Sequence, residues 1–151
     1  MNNSVASFVS IIVVAAVAVG CGSGLSPTSP SATGGVTTSI APEQVSGTWI
    51  LASVQPAGQT EVTVPGGASY ELALADGRVS TRVDCNVCGG NLAVGPSTMT
   101  VGPLLACTRA ACPTMAFESA YLAILAGESA TRIDGDTLTL TSARGALRFR
   151  R

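Results

Sequence analysis

Four cysteines are the residues of this chain best placed to do chemistry. Cys85 and Cys88 stand as C-x2-C, and 18 residues later Cys107 and Cys112 stand as C-x4-C. Three chemistries suit that arrangement. Four thiolates at ribbon-like spacing can hold a structural zinc, although the second knuckle of such a site is normally C-x2-C. A Cys85-Cys88 pair can carry redox chemistry, but that work is usually done at a helix N-terminus, where the dipole lowers the thiol pKa. Cys85-Cys88 instead follows a strand pattern and precedes Gly89-Gly90. The third reading is two disulfides. An apparent export signal favours it, because small exported domains use disulfides to supplement thin cores. Four cysteines allow three pairings. The nested one, Cys85–Cys112 with Cys88–Cys107, brackets a hairpin over residues 90–101. In the chain-entropy model, a closed loop of about 20 residues stabilises by about 3 kcal/mol.

The rest of the inventory is thin. The 151 residues contain no histidine and no lysine, so all eight basic residues are arginines. Ser-His-Asp and Cys-His nucleophiles, Schiff bases and histidine-ligated metals are therefore excluded. Asp84 and Glu118 are the one conceivable acid–base pair, and nothing in their spacing sets them across a cleft. The expectation is a non-enzyme with no cofactor and no metal. A formal net charge of −1 argues against nucleic acid as a partner. The terminal Arg148-Phe149-Arg150-Arg151 reads as the wet face of a last strand.

The elements that position these cysteines are preceded by an address. Val5–Val19 is an apolar run with the length of a signal-peptide core, too short for a comfortable membrane span. Ala18-Val19-Gly20-Cys21 follows and resembles a lipobox, with Cys21 as the lipidated residue and Gly22 after it in place of a retention aspartate. Residues 1–20 are expected to be a lipoprotein signal peptide. Residues 21–41, rich in Ser, Thr, Gly and Pro, read as the lipidated cysteine and a tether, since such a segment cannot bury enough surface to order itself. A lipid anchor in the outer membrane would leave a folded domain, residues 42–151, in the periplasm or outside the cell.

That domain alternates with period two. Strands are expected over 47–54 (with Trp49, read as sheet core), 69–75, 78–84, 90–94, 98–101, 137–141 and 146–150. Asp76-Gly77 and Asp134-Gly135 are expected to form type I′ turns. One helix is expected from Pro113 to Ala126, stopped by Gly127 and burying Phe117, Tyr121, Leu122, Ile124 and Leu125. Asn86 is expected to satisfy backbone groups in a turn. Arg109 is expected to pair with Asp84 or Glu118.

With these residues in view, the chain resembles the META domain family of HslJ-like bacterial envelope lipoproteins. The likeness rests on Gly47-x-Trp49, on Gly77-Arg-Val-Ser80 leading to Cys85-Asn86 and Gly90, and on Leu104. It continues through Thr108-Arg109-x-x-Cys112-Pro113, Glu118, Leu122, Leu125 and Gly135-Asp-x-Leu-x-Leu140. It departs at Asp84, where the family usually has glycine. Cys88 and Cys107 are additions to the family's common pair, and their joint appearance supports pairing them with each other. The resemblance implies a mainly β (α+β) fold, a strongly curved antiparallel sheet or partly open barrel packed around one helix. It also implies a cell-envelope location and, from heat-inducible members, a stress-related role. It brings no catalytic residues. Three functions follow as expectations: a surface-tethered interaction protein, a binding module for a small apolar ligand or lipid, or an envelope thiol oxidoreductase using Cys85-Cys88.

Overall fold

The computed structural model describes residues 39–102 and 105–151. Cys21, the signal peptide, most of the tether and Leu104 lie outside them. Pro42–Val45 form a single helical turn, α1. Strands β1 (Gly47–Pro56), β2 (Val62–Thr63), β3 (Tyr70–Ala75), β4 (Arg78–Val83), β5 (Asn86–Val94), β6 (Thr98–Val101) and β7 (Ala106–Cys107) follow. Then come helix α2 (Met115–Leu125) and strands β8 (Gly127–Asp134), β9 (Thr137–Ser142) and β10 (Gly145–Arg150).

Eight of the strands close into an antiparallel barrel in the order β1-β3-β4-β5-β6-β8-β9-β10 and back to β1. Closure depends on β1 being long enough to serve two neighbours. Its first half pairs with β3, with Trp49 opposite Leu72, and its second half with β10, with Val54 opposite Leu147. A full ring leaves no long unpaired edge. The short strands β2 and β7 lie off it, on β1 and β5.

The period-two pattern places Trp49, Leu51, Tyr70, Leu72, Leu74, Val79, Val83, Met99, Val101, Leu138, Leu140, Leu147 and Phe149 in one buried cluster. The barrel interior is thus packed with side chains. Helix α2 packs against β1, β9 and β10. Tyr121 is its plug. The ring makes edge-on contacts with Tyr70 and Phe149, and its hydroxyl lies 2.7 Å from Thr81 Oγ1 on β4. Burial pushes the Tyr121 phenol well above the ordinary tyrosine range, and Tyr70 is raised for the same reason. A raised folded-state pKa means the stabilisation is complete below the unfolded tyrosine pKa and is lost as pH climbs through the folded one. Denaturant melts should therefore show stability falling above about pH 10. Tyr121→Phe should flatten that fall while costing about 1 kcal/mol at neutral pH, the loss of one buried hydrogen bond.

Four expectations change. β5 begins at Asn86 and not at residue 90, because Asn86, Val87 and Cys88 already pair with β4. β8 is a full strand where none is expected, because its inward residues Ser129 and Thr131 are polar and hide the alternation. Small Ser129 sits opposite bulky Met99, so the pair fills the barrel together. The Asp134-Gly135 turn is not type I′. Asp134 pairs with Thr137, so Gly135 and Asp136 form the loop, and of these only Gly135 has positive φ. Asp76 and Gly77, at φ 49° and 70°, do share the left-handed region a type I′ turn requires. Helix α2 starts two residues after Pro113, with Thr114 as its N-cap residue, whose hydroxyl goes to Asp84 and makes no cap bond.

Candidate functional site

Cys85 is bonded to Cys112, closing a span of 27 residues, and Cys88 to Cys107, closing 19. Cys88 and Cys107 are direct cross-strand partners of β5 and β7. The Cys85-Cys88 pair does not exist as a disulfide; each sulfur belongs to a different bridge. Together the bridges hold segment 105–114 against the start of β5.

Asn86 does the rest. It is 1% exposed. Its Oδ1 accepts from the Ala110 backbone N–H at 2.8 Å and from the Thr108 hydroxyl at 3.0 Å. Thr108 Oγ1 in turn accepts from the Val87 N–H. Asn86 Nδ2 faces the Ala110 carbonyl at 3.0 Å, Cys112 Sγ at 3.2 Å and the Glu118 carboxylate at 3.2 and 3.4 Å. A single amide therefore organises the whole Thr108–Cys112 loop and links it to α2. The asparagine serves a turn, as its type suggests, but a turn 24 residues away.

Asp84 occupies the left-handed region at φ 59°, a conformation that glycine adopts most readily. A short polar side chain tolerates it better than most. Asp84 Oδ2 accepts from the Thr114 hydroxyl at 2.7 Å, and Thr114 accepts from the Tyr70 hydroxyl at 3.0 Å. This relay seats the start of α2 on β3. Asp84→Ala should cost about 1–2 kcal/mol, from the lost bond and an unsuited Cβ. Asp84→Gly should cost less, because relief at φ offsets the lost bond; paired urea melts would read the difference.

The motif residues converge on one groove. Asn86, Cys107, Thr108, Arg109, Ala110, Ala111, Met115, Glu118 and Leu122 line a cavity of about 400 Å³ between the loop and α2. Arg109 stands exposed on its lining and forms no ion pair with Asp84 or Glu118, contrary to expectation: Asp84 accepts from Thr114 and Glu118 faces the Asn86 amide. Among the described residues the ion pairs are the exposed Arg132–Asp134 and Arg148–Glu61. Met115, about half exposed, is a wall residue that the expected apolar face of the helix omits. Its sole signal is a large apolar side chain in the first turn, off that face. Pro113 is exposed beside the loop.

Trp49 belongs elsewhere. It is fully buried, donates from Nε1 to the Val45 carbonyl at 2.7 Å, and lies beneath the Arg151 guanidinium, 4.2 Å from its ring centre. It locks α1 and the C-terminus to the barrel. Among the described residues no cluster of three or more His, Cys, Asp or Glu has the geometry of a metal site.

A closed eight-stranded barrel plugged by one helix, with a disulfide-held loop organised by a buried asparagine, defines a small β-barrel domain of a specific kind. The META domain family matches residues 42–151, and the chain belongs to it. Two solved structures share the fold. A protein from Burkholderia xenovorans, determined by NMR, is 26% identical, with a TM-score of 0.61 over 74% of this chain and 86% of that one. A second NMR structure is 21% identical, with a TM-score of 0.59 over 74% of this chain and 94% of that one, and shows the fold alone. No curated protein matches the chain.

Proposed function

We propose that this META domain protein is a non-enzymatic, lipid-anchored envelope protein whose domain works as an interaction module, in a structural or stress-related role. The observation that carries the reading is the convergence of the motif side chains, Asn86, Thr108, Arg109, Glu118 and Leu122, on one surface groove beside α2. A docking site is exposed, shaped and held rigid by two covalent bridges, and this groove meets that description. Asp84 accepts from the Thr114 hydroxyl and does not line the groove that Glu118 lines, which favours binding over acid–base chemistry by that pair. Two disulfides suit an oxidising compartment. The anchor itself rests on the sequence at Cys21. Outer-membrane placement rests on Gly22 in the same way.

A lipid-binding role inside the barrel is less favoured, because Trp49, Tyr70, Tyr121 and Phe149 fill that space. An apolar ligand would have to use the outer groove. The anchor is tested by the mass of the mature N-terminus after expression in an exporting bacterium. A diacylglyceryl-modified Cys21 and membrane fractionation are expected. An unmodified N-terminus on freely soluble protein refutes the anchored reading. A stress role predicts rising abundance after a temperature upshift.

A further inference from the structure

Among the described residues Glu118 is the one buried acidic side chain, at 7% exposure, and it lines the groove. A carboxylate removed from water is costly unless it is paired or well hydrogen-bonded. Its one partner among the described residues is Asn86 Nδ2. That amide has two N–H bonds to give. It faces four acceptors: the Ala110 carbonyl, Cys112 Sγ and both Glu118 oxygens. One amide thus serves both Glu118 oxygens along with two other acceptors, so the carboxylate keeps lone pairs for a donor entering the groove. Arg109 lines the same groove without forming an ion pair to it. Beside Thr108 and Arg109, the walls carry the apolar Ala110, Ala111, Met115 and Leu122.

We infer that this groove docks a lysine side chain of a partner protein, the ammonium on Glu118 and the methylene stem along Met115 and Leu122. The inference rests on the interaction-module reading and names the chemistry of the partner. A compact ammonium fits better than a guanidinium, because both Glu118 oxygens already face Asn86 and a planar fork needs both free in its own plane. Since this chain has no lysine, the docked group must come from a different protein, not a second copy.

The test is a titration of the full 15N-labelled chain in mild detergent with Nα-acetyl-lysine methylamide, followed by NMR. Saturable shifts are expected at the amides of Asn86, Ala110, Met115 and Glu118. The neutral Nε-acetylated probe should bind at least about tenfold more weakly, the scale of one charge-assisted contact. Glu118→Gln should bring the same loss. Should that variant not fold, Ala111→Arg, at an exposed wall position, should abolish binding while leaving the barrel spectrum intact. Absence of saturable shifts, equal binding of the neutral probe, or tighter binding of the arginine analogue would each overturn the assignment. Any of these would leave the anchor reading intact, since the N-terminal mass decides that independently.

Discussion

Replacing Asn86 by alanine is expected to lower unfolding free energy by about 3–4 kcal/mol. Three effects add. The Ala110 N–H and carbonyl lose their side-chain partner, and Thr108 loses its acceptor. Glu118 keeps its burial without its donor. Both disulfides remain, so the loop stays attached at Cys107 and Cys112 while its interior loosens. Urea melts should show the lowered midpoint, and hydrogen exchange should accelerate at Ala110 and Glu118. Asn86→Asp separates size from chemistry. It keeps the Oδ1 acceptor, removes the donor and sets a second carboxylate against Glu118, so it should be as damaging at neutral pH. A loss below about 1 kcal/mol for Asn86→Ala would mean that the bridges alone hold the loop.

Gly145→Ala is expected to be comparably severe, about 3–5 kcal/mol, for an unrelated reason. Gly145 opens β10 at φ 140°, where side-chain-bearing residues are strained. A Cβ there would collide with the Gln55 carbonyl and the Pro56 backbone, and would press on Ile124 from α2. Neither backbone group can move freely, because Pro56 pairs with Gly145 at the seam where β10 meets β1. That seam closes the barrel. Gly135→Ala is the matched control: it also has positive φ, but its Cβ would meet open space, so only the conformational cost of about 1 kcal/mol should appear. Thermal melts of the two variants side by side would separate strain from collision. Equal losses would remove the collision argument.

Most of the barrel wall was legible in the chain, because one face of each clear strand is buried and the other wet. Tyr70, Leu72 and Leu74, with Val79, Thr81 and Val83, announce themselves by alternation alone and are the buried faces of β3 and β4. The motif elements around Asn86, Thr108 and Cys112 likewise sufficed to point to the family that residues 42–151 match. β8 was not legible, since Ser129 and Thr131 are buried only because Met99 and Leu140 stand opposite them. Burial of that kind is a property of the partner strand. Nor is the cap of α2 legible: Thr114, its N-cap residue, gives its hydroxyl to Asp84, 30 residues earlier, instead of to its own helix.

The groove was decided by tertiary structure alone. Glu118 and Arg109 look like an ion pair in one dimension. In three, Asn86 reaches Glu118 first, and the arginine is left at the surface. Local sequence sets which residues can be inward and which chemistries are absent, because side-chain type and strand period are local quantities. Which donor meets which acceptor depends on closing the ring, and closure is a property of the whole chain.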